Sequence, residues 1–129
     1  MNMVTKPTAH DSSARRTGPA LEAMYQFILW LVPTIEKFPR SQKFLLGDRM
    51  QTVAVDCLEL LVSATYTRER HNLLRQANLR LEHLRYFIRL CHDLKHMDHR
   101  RYEHAARQID TVGRLVGGWA KADQGVTSS

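Results

Sequence analysis

The chain has 129 residues, 43% of them apolar, with 19 Lys and Arg against 13 Asp and Glu, a net charge of +6. That length supports one domain able to bury a core without metals or disulfides, and the positive balance favours polyanionic partners such as nucleic acid or an acidic protein surface. No apolar run reaches the roughly 18 residues of a membrane-spanning helix and the N-terminus lacks the apolar stretch of a signal peptide, so a soluble, cytoplasmic protein is expected.

Residues 1–18 are rich in Ser, Thr and charge and are predicted to be a disordered arm, with Arg15 and Arg16 able to add to a nucleic-acid contact. Pro19 then suits the first turn of a helix whose apolar stripe is Leu21, Met24, Phe27, Ile28, Leu31 and Ile35. Pro33 is expected to kink that helix or end its regular part, because it lacks the donor and clashes with the preceding turn. Trp30 lies off the stripe and is either an interface residue or folded onto a neighbouring helix.

Phe38-Pro39-Arg40-Ser41 reads as a turn, with Ser41 as the cap of the second helix. That helix is expected from Gln42 to about Tyr66, with Leu46, Met50, Val53, Cys57, Leu60, Leu61 and Ala64 inward. After a break at TRERHN comes the most strongly patterned stretch, Leu73 to Leu94. Leu73, Ala77, Leu81, Leu84, Ile88 and Cys91 fall on its core face, and Arg75, Asn78, Glu82, Arg85, Arg89 and Asp93 on its back. Arg85 and Arg89 stand one turn apart, a like-charge pair that costs about 0.2–0.5 kcal/mol unless an anion relieves it. Arg80 projects towards the core and should be paired, with Asp56 as the candidate.

KHMD is a short connection in which Asp98 can cap the fourth helix. There Tyr102, Ala105, Ile109, Val112, Val116 and Trp119 face inward, and Arg100, Arg107 and Arg114 form a heptad-spaced basic stripe outward. Glu103 with Arg107 and Asp110 with Arg114 are expected as intrahelical pairs. Gly113, Gly117 and Gly118 each weaken a helix, so their presence implies close approach of another helix. Residues 122–129 read as a flexible tail. The architecture is all-α, an up-down four-helix bundle over residues 19–121.

Between Arg68 and Arg107 ten basic residues face five acidic ones, and six of the seven His lie there, so this half is the expected anion-binding half. Cys57 and Cys91 lie in apolar stretches without CxxC spacing and read as buried hydrophobes. No nucleophile elbow, phosphate-binding glycine loop or di-iron Glu-x-x-His pattern is present. His92 and His96, one turn apart, come nearest to a metal pair, but no HExxH follows and Asp93 and His99 fall elsewhere on the wheel. No catalytic residue, metal ligand or cofactor is therefore assigned. Tyr86 is placed to stack on a base.

FPRSQKFLLGDRM (Phe38 to Met50), LEHLRYFIRLCHDL (Leu81 to Leu94) and VGRLVGGWAK (Val112 to Lys121) together resemble the small four-helix-bundle family that includes the accessory variability determinant, Avd, of diversity-generating retroelements. Relatives in that family are encoded in ribosomal-RNA intervening sequences. The resemblance implies a non-catalytic homopentameric ring that binds the element's reverse transcriptase, RNA and DNA and supports mutagenic cDNA synthesis. Arg40, Arg85 and Arg89 match the family's basic positions, and Arg75 joins them from geometry. Trp30, Gly117 and Gly118 are the expected subunit contacts. Two rival readings stand beside it: an intervening-sequence-type bundle that self-assembles or binds protein without nucleic acid, and a metal-dependent enzyme using the His-rich link from His92 to His99.

Overall fold

The computed structural model describes residues 18–128, with side chains to Gln124; the N-terminal stretch with Arg15 and Arg16 lies outside the described residues. Helix α1 spans Pro19–Glu36. Helix α2 is one continuous run built from Arg40–Gln42, a π-helical stretch Lys43–Gly47 and Asp48–Thr65. Helix α3 spans His71–Asp93 and α4 spans His99–Ser128. The described residues hold these four helices and no strand, and none of the helices is long and apolar enough to cross a membrane.

Each helix packs on the next in sequence and α1 closes the square against α4, which with connections of a few residues makes an up-down four-helix bundle. Met24, Phe27, Leu31 and Ile35 of α1 meet Met50, Cys57 and Leu61 of α2, Leu74, Leu81, Leu84 and Ile88 of α3, and Ile109, Val112 and Val116 of α4 in one core. Full burial of each large side chain contributes about 1.5–3 kcal/mol. On α3 the first core place belongs to Leu74; Leu73, one position round, packs only at the edge. Cys57 and Cys91 are free and buried as expected, and burial pushes their thiols up to about 12 and about 11.

Pro33 lies inside α1, which continues to Glu36 with buried Ile35 anchoring its last turn in the core. Three local expectations are corrected. Ser41 is not a cap: Pro39 stands at the N-cap, its carbonyl accepting from Gln42 and Lys43 at 2.9 Å each, and Ser41 lies inside the helix. Arg80 is half-buried and makes no ion pair with Asp56 among the described residues; its charge instead acts on the Cys57 thiol, pulling it down against the larger effect of burial. An arginine can lay its stem along a seam while its head reaches solvent, so burial of the stem does not demand a carboxylate. Helix α4 continues beyond Lys121 to Ser128, through most of the stretch expected as a tail.

The corners explain the rest of the geometry. Arg70 closes the α2–α3 loop: its Nε and Nη2 donate to the Thr67 carbonyl at 3.0 and 2.7 Å, its Nη1 pairs with Asp123 at 3.1 Å, and its guanidinium lies 5.7 Å from the Trp119 ring. At the α3–α4 corner the His96 N–H donates to the Cys91 carbonyl at 2.8 Å and the Lys95 N–H to that of His92 at 3.0 Å. With Lys95 at φ 68°, this is a Schellman ending of α3. Asp98 then caps α4, accepting from the Arg101 N–H at 2.9 Å.

Candidate nucleic-acid interface

The back of α3 carries three of the expected arginines, and each has a different fate. The Arg85 guanidinium is held by Glu82 at 3.1 Å and by Asp110 of α4 in a very short ion pair. Partial burial pulls its pKa down, but hydrogen bonds to Asp110 and Glu82 outweigh this and raise it. The anion that relieves Arg85 is therefore internal, and Arg85 is a strut between α3 and α4. Gly113 makes room for it, since a Cβ there would lie 3.2 Å from Arg85 Nη2. Arg89 meets Asp93 only at 3.8 Å and its side chain stays 64% exposed. It shares an open groove with Tyr86, Tyr102 and Asp110, in which Tyr86 is 67% exposed.

Arg75 is exposed and borders a cleft with Asn72, Gln76, Asn78, Leu79 and Glu82. It makes no ion pair among the described residues. Fourteen residues separate it from Arg89, about 21 Å along the helix. Arg40, also exposed, starts α2 at the end of the bundle that holds the α3–α4 corner, as the Phe38–His96 ring contact at 6.4 Å shows. Only Arg85 and Arg89 are brought together; Arg75 and Arg40 stand at opposite ends.

A further cationic feature is on the other side, between α1 and α4. A cleft of about 550 Å³ is lined by Trp30, Asp98, Arg100, Arg101, His104 and Arg107. It continues through His104 and Arg107 into a second of about 390 Å³ that reaches Gln26, Gln108 and Thr111. Trp30 is folded onto α4, its ring 4.7 Å from that of His104, and so forms one wall of the cleft. The intrahelical pairs expected for α4 do not form. Glu103 is taken by His99 at 3.1 Å and Asp110 by Arg85, which leaves Arg100, Arg107 and Arg114 without a carboxylate among the described residues. Arg101 alone on this edge is paired, with Asp98 at 2.8 Å. The signal was present in the sequence as the 100, 107, 114 spacing; what it lacked was the tertiary competition for Glu103 and Asp110.

Gly117 and Gly118 face open space, where a Cβ would meet nothing within 4 Å. Among the described residues no helix approaches them closely. Apolar side chains are also exposed on neighbouring helices: Tyr25, Leu29 and Val32 on α1, Val55 and Val62 on α2.

A comparison with protein-family models matches residues 20–122 to the family described as bAvd-like. The chain belongs to the bAvd-like family. The match takes in α1 from Ala20, all of α2 and α3, and α4 as far as Ala122, so the Arg100–Arg107–Arg114 row and the Trp30 wall lie within the family domain. No curated protein matches this bAvd-like chain.

Proposed function

We propose that this bAvd-like protein is a non-catalytic, cytoplasmic accessory factor of a diversity-generating retroelement, binding the element's reverse transcriptase together with RNA and DNA during mutagenic cDNA synthesis. Family membership supports the retroelement role. The observation that carries nucleic-acid binding is the row Arg100, Arg107 and Arg114, which makes no ion pair among the described residues: Arg100 and Arg107 line the cleft beside the Trp30–His104 wall, and Arg114 follows one heptad on, donating to Thr111 at 3.5 Å. Guanidinium groups one heptad apart lie about 10 Å from each other along the helix, a spacing from which separate phosphates of one backbone can be met. Tyr86, exposed on α3, offers a ring on which a base can stack.

Arg40, Arg75 and Arg89 extend the positive surface, while Arg85 acts through the α3–α4 contact. The assembly is a homopentameric ring. Gly117 and Gly118, open on α4, suit close approach by a neighbouring subunit, and the exposed apolar side chains of α1 and α2 suit a protein partner. In a ring, five copies of the arginine row concentrate potential that a single subunit cannot reach.

Light scattering of the full chain, with and without a structured RNA, at low and moderate salt, tests this reading. It predicts a particle of five subunits that takes up RNA in a salt-sensitive way. A monomer or dimer indifferent to RNA would contradict it and would favour the rival reading, a protein-binding bundle that uses the apolar stripes of α1 and α2.

A further inference from the structure

The α3–α4 corner holds a histidine pair that the proposed function does not use. His92 lies on the last turn of α3 and His99 opens α4. The turn at Lys95 brings His92 Nε2 within 3.4 Å of His99 Nδ1. Each ring's second nitrogen meets a carboxylate: His92 Nδ1 lies 3.3 Å from Asp93 Oδ1, and His99 Nε2 lies 3.1 Å from Glu103 Oε2. A carboxylate only accepts, so these outer nitrogens carry N–H. The inner nitrogens of two neutral rings are then both lone-pair acceptors turned towards each other. Such a pair is repulsive unless a cation lies between them.

The spacing says which kind of cation fits. Two imidazole nitrogens bound at about 2.0–2.1 Å to one tetrahedral ion stand roughly 3.3–3.4 Å apart, the separation found here. Carboxylates on the far nitrogens are the outer partners that fix tautomer and ring orientation in metal-bound histidines. Tyr102 stacks on His92 with centroids 4.5 Å apart and holds that ring in place. We infer that His92 and His99 form a two-histidine site for a divalent transition-metal ion of the zinc type, with Asp93 and Glu103 as its outer partners.

The site is open rather than enclosed. Among the described residues no group of three or more His, Cys, Asp or Glu side chains is placed to hold a metal, and His99 is 68% exposed, so water completes the coordination. Asp93 and Glu103 offset the ion's two charges locally, although Arg89 at 3.8 Å from Asp93 draws on one of them. His96, the sequence-level partner of His92, is carried away to the Phe38 ring. A bound ion would join α3 to α4 across the Lys95 turn.

Calorimetric titration of the full chain with Zn²⁺ at neutral pH, after treatment with chelator and dialysis, tests the inference against the variant His92→Gln/His99→Gln. The native chain is expected to bind one more Zn²⁺ than the variant, with the tightest binding event lost. Asp93→Ala or Glu103→Ala should weaken that event about 10–100-fold. Zn²⁺ should also raise the melting midpoint of the native chain and not that of the variant, because an ion bound only by the folded state stabilises it. His99→Gln alone, at an exposed first helical position, repeats the comparison with little risk to folding. Equal stoichiometry and affinity in native and variant chains would overturn the inference and leave the inner nitrogens sharing a proton only.

Discussion

Single residues carry the strain and the close contacts. Lys95 holds the left-handed position that ends α3, a conformation costing an L-residue about 1–2 kcal/mol that glycine avoids. Lys95→Gly is therefore expected to stabilise the chain by about 0.5–1 kcal/mol, after the added freedom of glycine in the unfolded state is subtracted; chemical denaturation would read this. Gly47 is the opposite case. A Cβ there would lie 2.5 Å from Cγ2 of Ile35, a fully buried and β-branched side chain with little room to move. Overpacking of that kind costs about 1–3 kcal/mol and exceeds the roughly 1 kcal/mol that alanine gains over glycine in a helix. Gly47→Ala should lower the denaturation midpoint. The two thiols, pushed up to about 12 and about 11 by burial, should stay unmodified by a thiol-specific alkylating reagent at neutral pH until the chain is unfolded. Rapid modification of the native protein would show that these parts of the core open readily.

Among the elements, α4 is where sequence and structure diverge most usefully. Its core face, its Asp98 cap and its basic stripe were all legible, because each follows from helical periodicity or local capping chemistry. The partners of Glu103 and Asp110 were not. A carboxylate four residues from an arginine pairs with it only when nothing better is near, and here His99 and Arg85 win those carboxylates. In α2 the length was legible but the π-helical stretch Lys43–Gly47 was not, because nothing in the apolar spacing marks the added residue. Its effect is visible: Phe44 and Leu45 are turned outward while Gly47 is buried against α1. The Asp98 cap also gives α4 a pH dependence. The hydrogen bond from the Arg101 N–H outweighs desolvation and, with the charge and side-chain hydrogen bond of Arg101 and the charge of Arg100, lowers the Asp98 pKa. A lowered folded value means the cap's contribution is complete above the unfolded carboxylate's pKa of about 3.9 and is lost as pH falls through the folded value. Asp98→Ala should thus destabilise the chain at pH 7 and lose its effect in strong acid, as thermal melts across pH would show.

Across the whole molecule the excess positive charge is distributed unevenly. Arg70 and Arg85 are spent on the corners and seams of the bundle, so the count of basic residues between Arg68 and Arg107 overstates what a ligand can meet. Arg100, Arg107 and Arg114, without an ion-paired carboxylate among the described residues, lie along α4, the first two beside Trp30. The most direct test is the salt dependence of single-stranded RNA binding by the native chain and by Arg100→Ala/Arg107→Ala/Arg114→Ala. Each phosphate neutralised contributes about 0.7 to the slope of log affinity against log salt. The variant is expected to bind more weakly, with a slope shallower by about two and the fold retained. An unchanged slope and affinity would contradict the claim that this face of α4 holds the nucleic acid.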